Sequence, residues 1–219
     1  MRRFLSLLCH EILVQNRVHN ILRYNVQFIL LSLICLIFLY PREQNIAEFG
    51  LIFLIISLPL AAISTTKPII KTDIADGSME LLLITVGASE VICTKFLSLF
   101  LINIAALTIS MPFIALFYHL FFDQVIFSAI ACILLLVQVS AMSLFVGCIE
   151  GYFRSNTDFI SSILFPIIIP GIIVSGLMLN AIGQAHLYIS LLLGIDLVIV
   201  PIILALSVYL LKNVYNHSE

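Results

Sequence analysis

The sequence predicts an all-α integral membrane protein. It has six transmembrane helices, an N-terminal amphipathic helix lying at the membrane interface, and both termini in the cytoplasm. Three observations carry this. Of the 219 residues, 62% are hydrophobic and only 10% are charged, whereas a soluble domain carries about 25% charge. The apolar runs are continuous rather than alternating, which selects helices over a membrane barrel. The basic residues are also unevenly placed: Arg2, Arg3, Arg17, Arg23, Lys67, Lys71, Lys95, Arg154 and Lys212 fall on one predicted side and Arg42 alone on the other. That bias orients the chain with its basic side in the cytoplasm.

The first element covers residues 1–23. On a helical projection Ser6, His10, Arg17 and Asn20 share one side, and Phe4, Leu8, Ile12 and Leu22 share the other. Leu13 falls among the polar residues. This is the pattern of an interfacial helix whose cations suit anionic headgroups. Glu11, Asn16, Arg17 and His19 interrupt any signal-peptide core, so a cleavable signal is not expected. A generic anchor and a partner-binding helix both fit.

Six apolar spans follow, at about 24–40, 46–66, 96–119, 125–149, 159–179 and 187–211. Most are near the ~20 residues that cross a ~30 Å hydrocarbon core, and the first is short. The whole chain reads as one permease-like domain. The loops at 41–45, 120–124 and 180–186 are then external and too short to fold alone.

The interval 67–95 is the only long charged stretch, and it is expected to be a cytoplasmic loop between the second and third spans. Asp76 or Ser78 can cap a short helix through Glu80 and Leu81–Leu83, with Gly77 allowing the turn before it. Gly87 supplies a second break. Ser89 can cap the next helix, with Glu90 near its positive end. Asp73, Asp76 and Glu80 gather acidic charge beside three leucines. A solvated connector would satisfy topology, but three consecutive leucines favour a docking surface.

Asp73, Asp76, Gly77, Ser78, Met79, Glu80, Leu81, Leu82 and Leu83, followed by Lys95 at the mouth of the next span, resemble the signature loop of the haem exporter protein B family. That family is the membrane subunit of the cytochrome c maturation ABC transporter. The chain is also similar in length, in its six spans and in the proline pair Pro166 and Pro170. It departs from the family at Thr66-Lys67-Pro68, where charged residues are usual. The resemblance implies an ABC-2 type permease subunit in a bacterial inner membrane, without catalytic activity of its own. It implies docking of a separate ATPase, which binds the ATP, on Asp73, Asp76, Gly77, Ser78, Glu80, Leu81, Leu82 and Leu83. A haem-handling membrane subunit and a second copy of the chain are the other implied partners, and haem is the implied substrate. No G-x-x-x-x-G-K-[ST] loop is present to cradle ATP phosphates.

Within the spans, Pro166 and Pro170 each remove a backbone donor, and a kinked or unwound segment is expected there. A hinge and a packing adaptation both fit. Ser143, Gly147 and Gly151 form a small-residue ladder that permits close helix approach, within the chain or at a dimer seam. Asp196 is the only acid well inside a span; intramembrane carboxylates face a polar interior or a partner, so it is a gating candidate.

His119 and His186 sit at the predicted external ends, where haem iron could be ligated. Tryptophan is absent, although related haem-handling membrane proteins carry a Trp-rich external motif. The expectation is therefore that this subunit holds no haem and no cofactor itself. The five cysteines, Cys9, Cys35, Cys93, Cys132 and Cys148, include no C-x-x-C pair and read as small apolar residues, with no metal site. Net charge is −2, which gives no footprint for nucleic acid. No G-x-S-x-G, H-E-x-x-H or paired intramembrane aspartates are present, which disfavours an intramembrane enzyme. A permease for lipid or polysaccharide is the alternative reading.

Overall fold

The computed structural model describes residues 2–39, 46–153, 158–180 and 185–216. It is helical throughout, with no strand among the described residues. The helices are α1 (Arg2–Val18), α2 (Ile21–Leu39), α3 (Ile46–Ala75), α4 (Ser78–Thr85), α5 (Ala88–Phe117), α6 (Phe122–Phe153), α7 (Asp158–Asn180) and α8 (Ala185–Asn216). The expected loop at 41–45, with Arg42, lies outside the described residues, as do Arg154 and most of the loop at 180–186.

Four helices are long and apolar enough to cross a membrane, over Ile21–Phe38, Ala88–Phe117, Phe122–Gly151 and Ala185–Asn213. The second and fifth expected spans fall on α3 and α7. Their described apolar segments are shorter, at Phe49–Thr65 and Pro166–Leu179.

Helix α6 is the central element. Ala131, Cys132, Leu135, Val139, Ala141, Leu144 and Cys148 along it are fully buried. It packs on α3, α5, α7 and α8. The main core joins Ile29 and Leu33 of α2, Leu54, Ile55 and Leu58 of α3, Leu107 and Ile114 of α5, Leu135 and Val139 of α6, Ile168 of α7 and Val200 of α8. Outward positions stay apolar too, such as Phe38, Leu116, Ile173, Leu197 and Ile202. A bundle that is apolar both inside and outside is built for hydrocarbon rather than water.

Two differences from the sequence-based expectation matter for the site. In the interval 67–95 the short helix after Gly77 and the helix start after Gly87 fall where expected, as α4 and α5, but helix α3 runs on to Ala75, past the expected end of the second span at 66. The reason is packing. Ile70 is buried and Ile74 packs beside it, and both press onto α6 at Gly147 and Gly151. A Cβ on Gly147 would stand 2.8 Å from the Cδ1 of Ile70, and one on Gly151 would collide with Ile74. The spacing of four on each helix lets the two pairs mesh one turn apart. Ser143, above them, is also buried. The glycine ladder thus accommodates α3 of the same chain.

The caps differ as well. Neither α4 nor α5 has a side-chain cap. Gly77 (φ 72°) precedes α4 and Gly87 (φ 97°) precedes α5. Both glycines take left-handed backbone that other residues rarely adopt. Asp76 and Ser89 therefore do not serve as caps, and the Ser78 hydroxyl donates to the Asp73 carbonyl at 3.1 Å. In α7 the helix is continuous through both prolines, which face outward, so that stretch is not unwound. Pro170 cannot donate to the carbonyl of Pro166; at the neighbouring carbonyl, Ile167, Gln138 Nε2 of α6 donates at 3.1 Å.

Candidate docking helix and its buried charge cluster

The eight residues of α4 form a short helix held between α3 and α5. Met79 is its buried anchor, and Leu82 and Leu83 are half-buried against the bundle. Leu81 and Ile84 point away and are 66% and 69% exposed. They lie three residues apart, so they share a face, and Glu80 and Thr85 beside them are exposed. Of the three leucines expected to form a docking surface, only Leu81 is fully presented. Ile84 completes the surface.

The three acids expected to cluster are split. Asp76 and Glu80 are exposed on the surface. Asp73, in the last turn of α3, turns inward to Lys95. Lys95 is 1% exposed, and its Nζ donates to Asp73 Oδ2 at 2.5 Å and to Glu11 Oε1 at 2.9 Å. Three helices thus meet at one ammonium: α1 through Glu11, α3 through Asp73 and α5 through Lys95.

Gln15, one turn beyond Glu11, extends the cluster. Its Nε2 donates to Ser98 Oγ at 2.8 Å and lies 3.4 Å from Glu11 Oε2. Ser98 in turn donates to the Lys95 carbonyl at 2.8 Å. A buried ion pair left without one partner is strongly destabilising, by about 3–5 kcal/mol. The cluster therefore fixes α1 and the end of α3 to the start of α5.

Sequence reading missed Glu11 and Gln15. Ser6, His10 and Arg17 of α1 and Asn20 just beyond it are exposed, Leu8 is buried, and Phe4, Ile12 and Leu22 are half-buried. Glu11 and Gln15, however, lie on the buried side with Leu8. The signal was a pair of polar residues spaced by four on an apolar face, matched by Lys95 and Ser98 inside an otherwise apolar helix.

A second, neutral chain of polar contacts lies deeper in the bundle. Thr65 donates to Asn25 at 2.9 Å, Asn25 to Asn103 at 2.6 Å, and Asn103 reaches Ser140 at 3.4 Å. It joins α3, α2, α5 and α6.

The remaining expected residues lie apart from α4. Asp196 is buried on α8, and neither of its oxygens has a hydrogen-bond partner among the described residues. His119 and His186 are exposed. Among the described residues no group of three or more His, Cys, Asp or Glu could hold a metal.

A family model described as the CcmB protein matches residues 2–210. The chain belongs to the CcmB family. Among similar proteins are an uncharacterised protein of Rickettsia prowazekii (strain Madrid E), 34% identical over 99% of both chains, and one of Rickettsia conorii (strain ATCC VR-613 / Malish 7), 35% identical over 99% of both. CcmB membership makes this chain a membrane component of the haem exporter for cytochrome c maturation, of the permease type, acting with other components of that system. The CcmB match covers every residue of α4 and of the cluster beneath it.

Proposed function

We propose that this chain is the force-receiving subunit of an ABC-type haem exporter, with its ATPase docked on α4. The carrying observation is the build of α4: an exposed apolar face of Leu81 and Ile84 on a short helix whose base is tied to three others through Asp73, Lys95 and Glu11. A push on α4 cannot be absorbed by a flexible loop. It acts on Asp73 and Lys95, and so on α1, α3 and α5 together. ATP belongs to the partner, since this chain has no phosphate loop.

The reading includes six membrane crossings in a bacterial inner membrane, by α2, α3, α5, α6, α7 and α8, with both termini and α4 cytoplasmic as the basic bias indicates. The chain works as a homodimer beside a haem-handling membrane subunit. Haem is substrate, passed on or released from that neighbour, and is not a resident cofactor. Pro166, Pro170 and Asp196 are candidates for the parts that move. CcmB membership favours haem over lipid or polysaccharide as the substrate.

Co-purification tests the docking. With the ATPase co-expressed and tagged, Leu81→Asp and Glu80→Lys should each release it while this chain remains inserted in the membrane. Leu83→Ala, on the half-buried side, should retain it. Full retention by both outward variants would refute the reading. His119→Ala with His186→Ala should leave cytochrome c maturation intact; its loss would move the functional centre to the other end of the bundle.

A further inference from the structure

A cavity of about 320 Å³ opens between α1 and α4. Its walls include Glu11 and Gln15 of α1, Asp73 of α3 and Ser78, Leu81 and Leu82 around α4. At roughly 30 Å³ per water, it has room for a long side chain. Three observations describe what it lacks. First, two carboxylates share one ammonium in the cluster at its base, an excess of one negative charge among the described residues. Second, among the described residues Glu11 Oε2 has only the 3.4 Å contact from Gln15. Third, Gln15 is fully buried and its Oε1 has no hydrogen-bond donor among the described residues. An excess carboxylate and an orphaned acceptor both call for N–H donors carrying positive charge. His10 and His19 also line the cavity, but no hydrogen bond joins either ring to Glu11 or Asp73 among the described contacts.

We infer that this cavity receives a basic side chain, arginine or lysine, projected from the ATPase that docks on α4. The inference rests on the docking reading and deepens it. The apolar face of α4 supplies the contact area, and the cavity beside it supplies the charge complement. Leu81 belongs to both, since it is 66% exposed and also lines the cavity. A partner seated on Leu81 and Ile84 therefore covers the cavity mouth. The inserted cation neutralises Glu11 and Asp73 jointly with Lys95, which ties partner binding directly to the joint between α1, α3 and α5.

Site-specific photocrosslinking in the full complex tests this, with benzoylphenylalanine placed at His10, exposed at the cavity edge on α1, or at Ile84 on the outer face of α4. Both should link to the ATPase. The peptide captured from position 10 should carry an arginine or lysine whose change to methionine weakens the complex about tenfold or more, as close charge pairs across interfaces do. In a Glu11→Gln background the same change should cost less than about twofold. Ser78→Phe, which places a ring at the mouth without touching the charges, should also weaken the complex about tenfold. Suppose Ile84 links to the ATPase while position 10 captures only lipid, such as a headgroup amine, or nothing, or a peptide without a basic residue. Then docking stands and the cavity inference falls. Wild-type affinity in Ser78→Phe overturns it equally. Failure of Ile84 to link to the ATPase overturns the docking reading and this inference with it.

Discussion

Lys95 and Asp196 are both ionisable groups enclosed within long apolar helices, and the bundle treats them in opposite ways. Lys95 is held by two carboxylates from two other helices, and its neighbours Gln15 and Ser98 continue the network. Among the described residues neither oxygen of Asp196 has a hydrogen-bond partner. Ser175 Oγ and Gln138 Oε1 are also without one, as is Gln15 Oε1 at the edge of the Lys95 network. A buried charge without a partner is expensive, in hydrocarbon above all. The first arrangement specifies a joint that should not come apart. The second leaves a buried carboxylate uncommitted.

The largest effect should come from breaking the joint. Lys95→Met leaves Glu11 and Asp73 buried together without their cation, and about 3–5 kcal/mol of stability should be lost. Thermal unfolding of the detergent-solubilised protein, and its level in membranes, will show this. Neutralising all three positions, as Lys95→Met with Glu11→Gln and Asp73→Asn, should recover most of the loss, because matched neutral groups carry no desolvated charge. A single variant as stable as the parent would mean that Lys95 is no better bound than Asp196, and the contrast would dissolve.

Next in size is the mesh that brings Asp73 to Lys95. Gly151→Val drives a side chain into Ile74, one residue from Asp73. Overpacking of this kind costs about 1–3 kcal/mol. Ile74→Ala in the same chain should restore a good part of it. No loss with Gly151→Val would show that α3 has slack at this end, and the joint would then not be rigid.

These two regions also show how far the sequence could be read. Composition and continuous apolar runs point to an all-helical bundle, and the residues from Asp73 to Leu83 carry the resemblance to the family. Lys95 was legible as a motif member but not as a buried ion. Its partners lie 84 and 22 residues away, and no local pattern encodes such pairings. The glycine ladder was legible as a close approach, yet its partner was open until Ile70 and Ile74 appeared with the same spacing. Within the interval 67–95 the helices after Gly77 and Gly87 are legible, but the run of α3 to Ala75 is not, because Ile70 and Ile74 sit among charged residues and only their burial extends the helix. Leu81–Leu83 read as one surface because a run of three has no phase; only helical geometry separates Leu81 from the two half-buried leucines.

A smaller effect is expected at the neutral chain. Asn103→Leu removes the contacts to Asn25 and Ser140. Interhelical hydrogen bonds in membranes average about 0.6 kcal/mol, so the melting temperature should fall only slightly. A loss as large as that of Lys95→Met would show that it is connectivity among helices, rather than charge, that makes the joint strong.

Asp196 should give the smallest stability effect, and its sign is the informative part. Its neighbours along the buried face of α8 are Leu192 and Val200, so the position is apolar one turn in each direction. Asp196→Leu replaces an unpartnered carboxylate by a group that suits those surroundings. Removing an unsatisfied polar group in this way is near neutral or stabilising, so the isolated subunit should unfold at the same temperature or slightly higher. Haem export into cytochrome c maturation should nevertheless fall, if the uncommitted carboxylate finds its partner during the transport cycle. Both readouts can be taken on one variant. A clear drop in stability of the isolated subunit would mean that Asp196 already has a partner, and its contrast with Lys95 would be lost. Unchanged stability with unchanged maturation would leave the contrast in place but remove Asp196 from the moving parts.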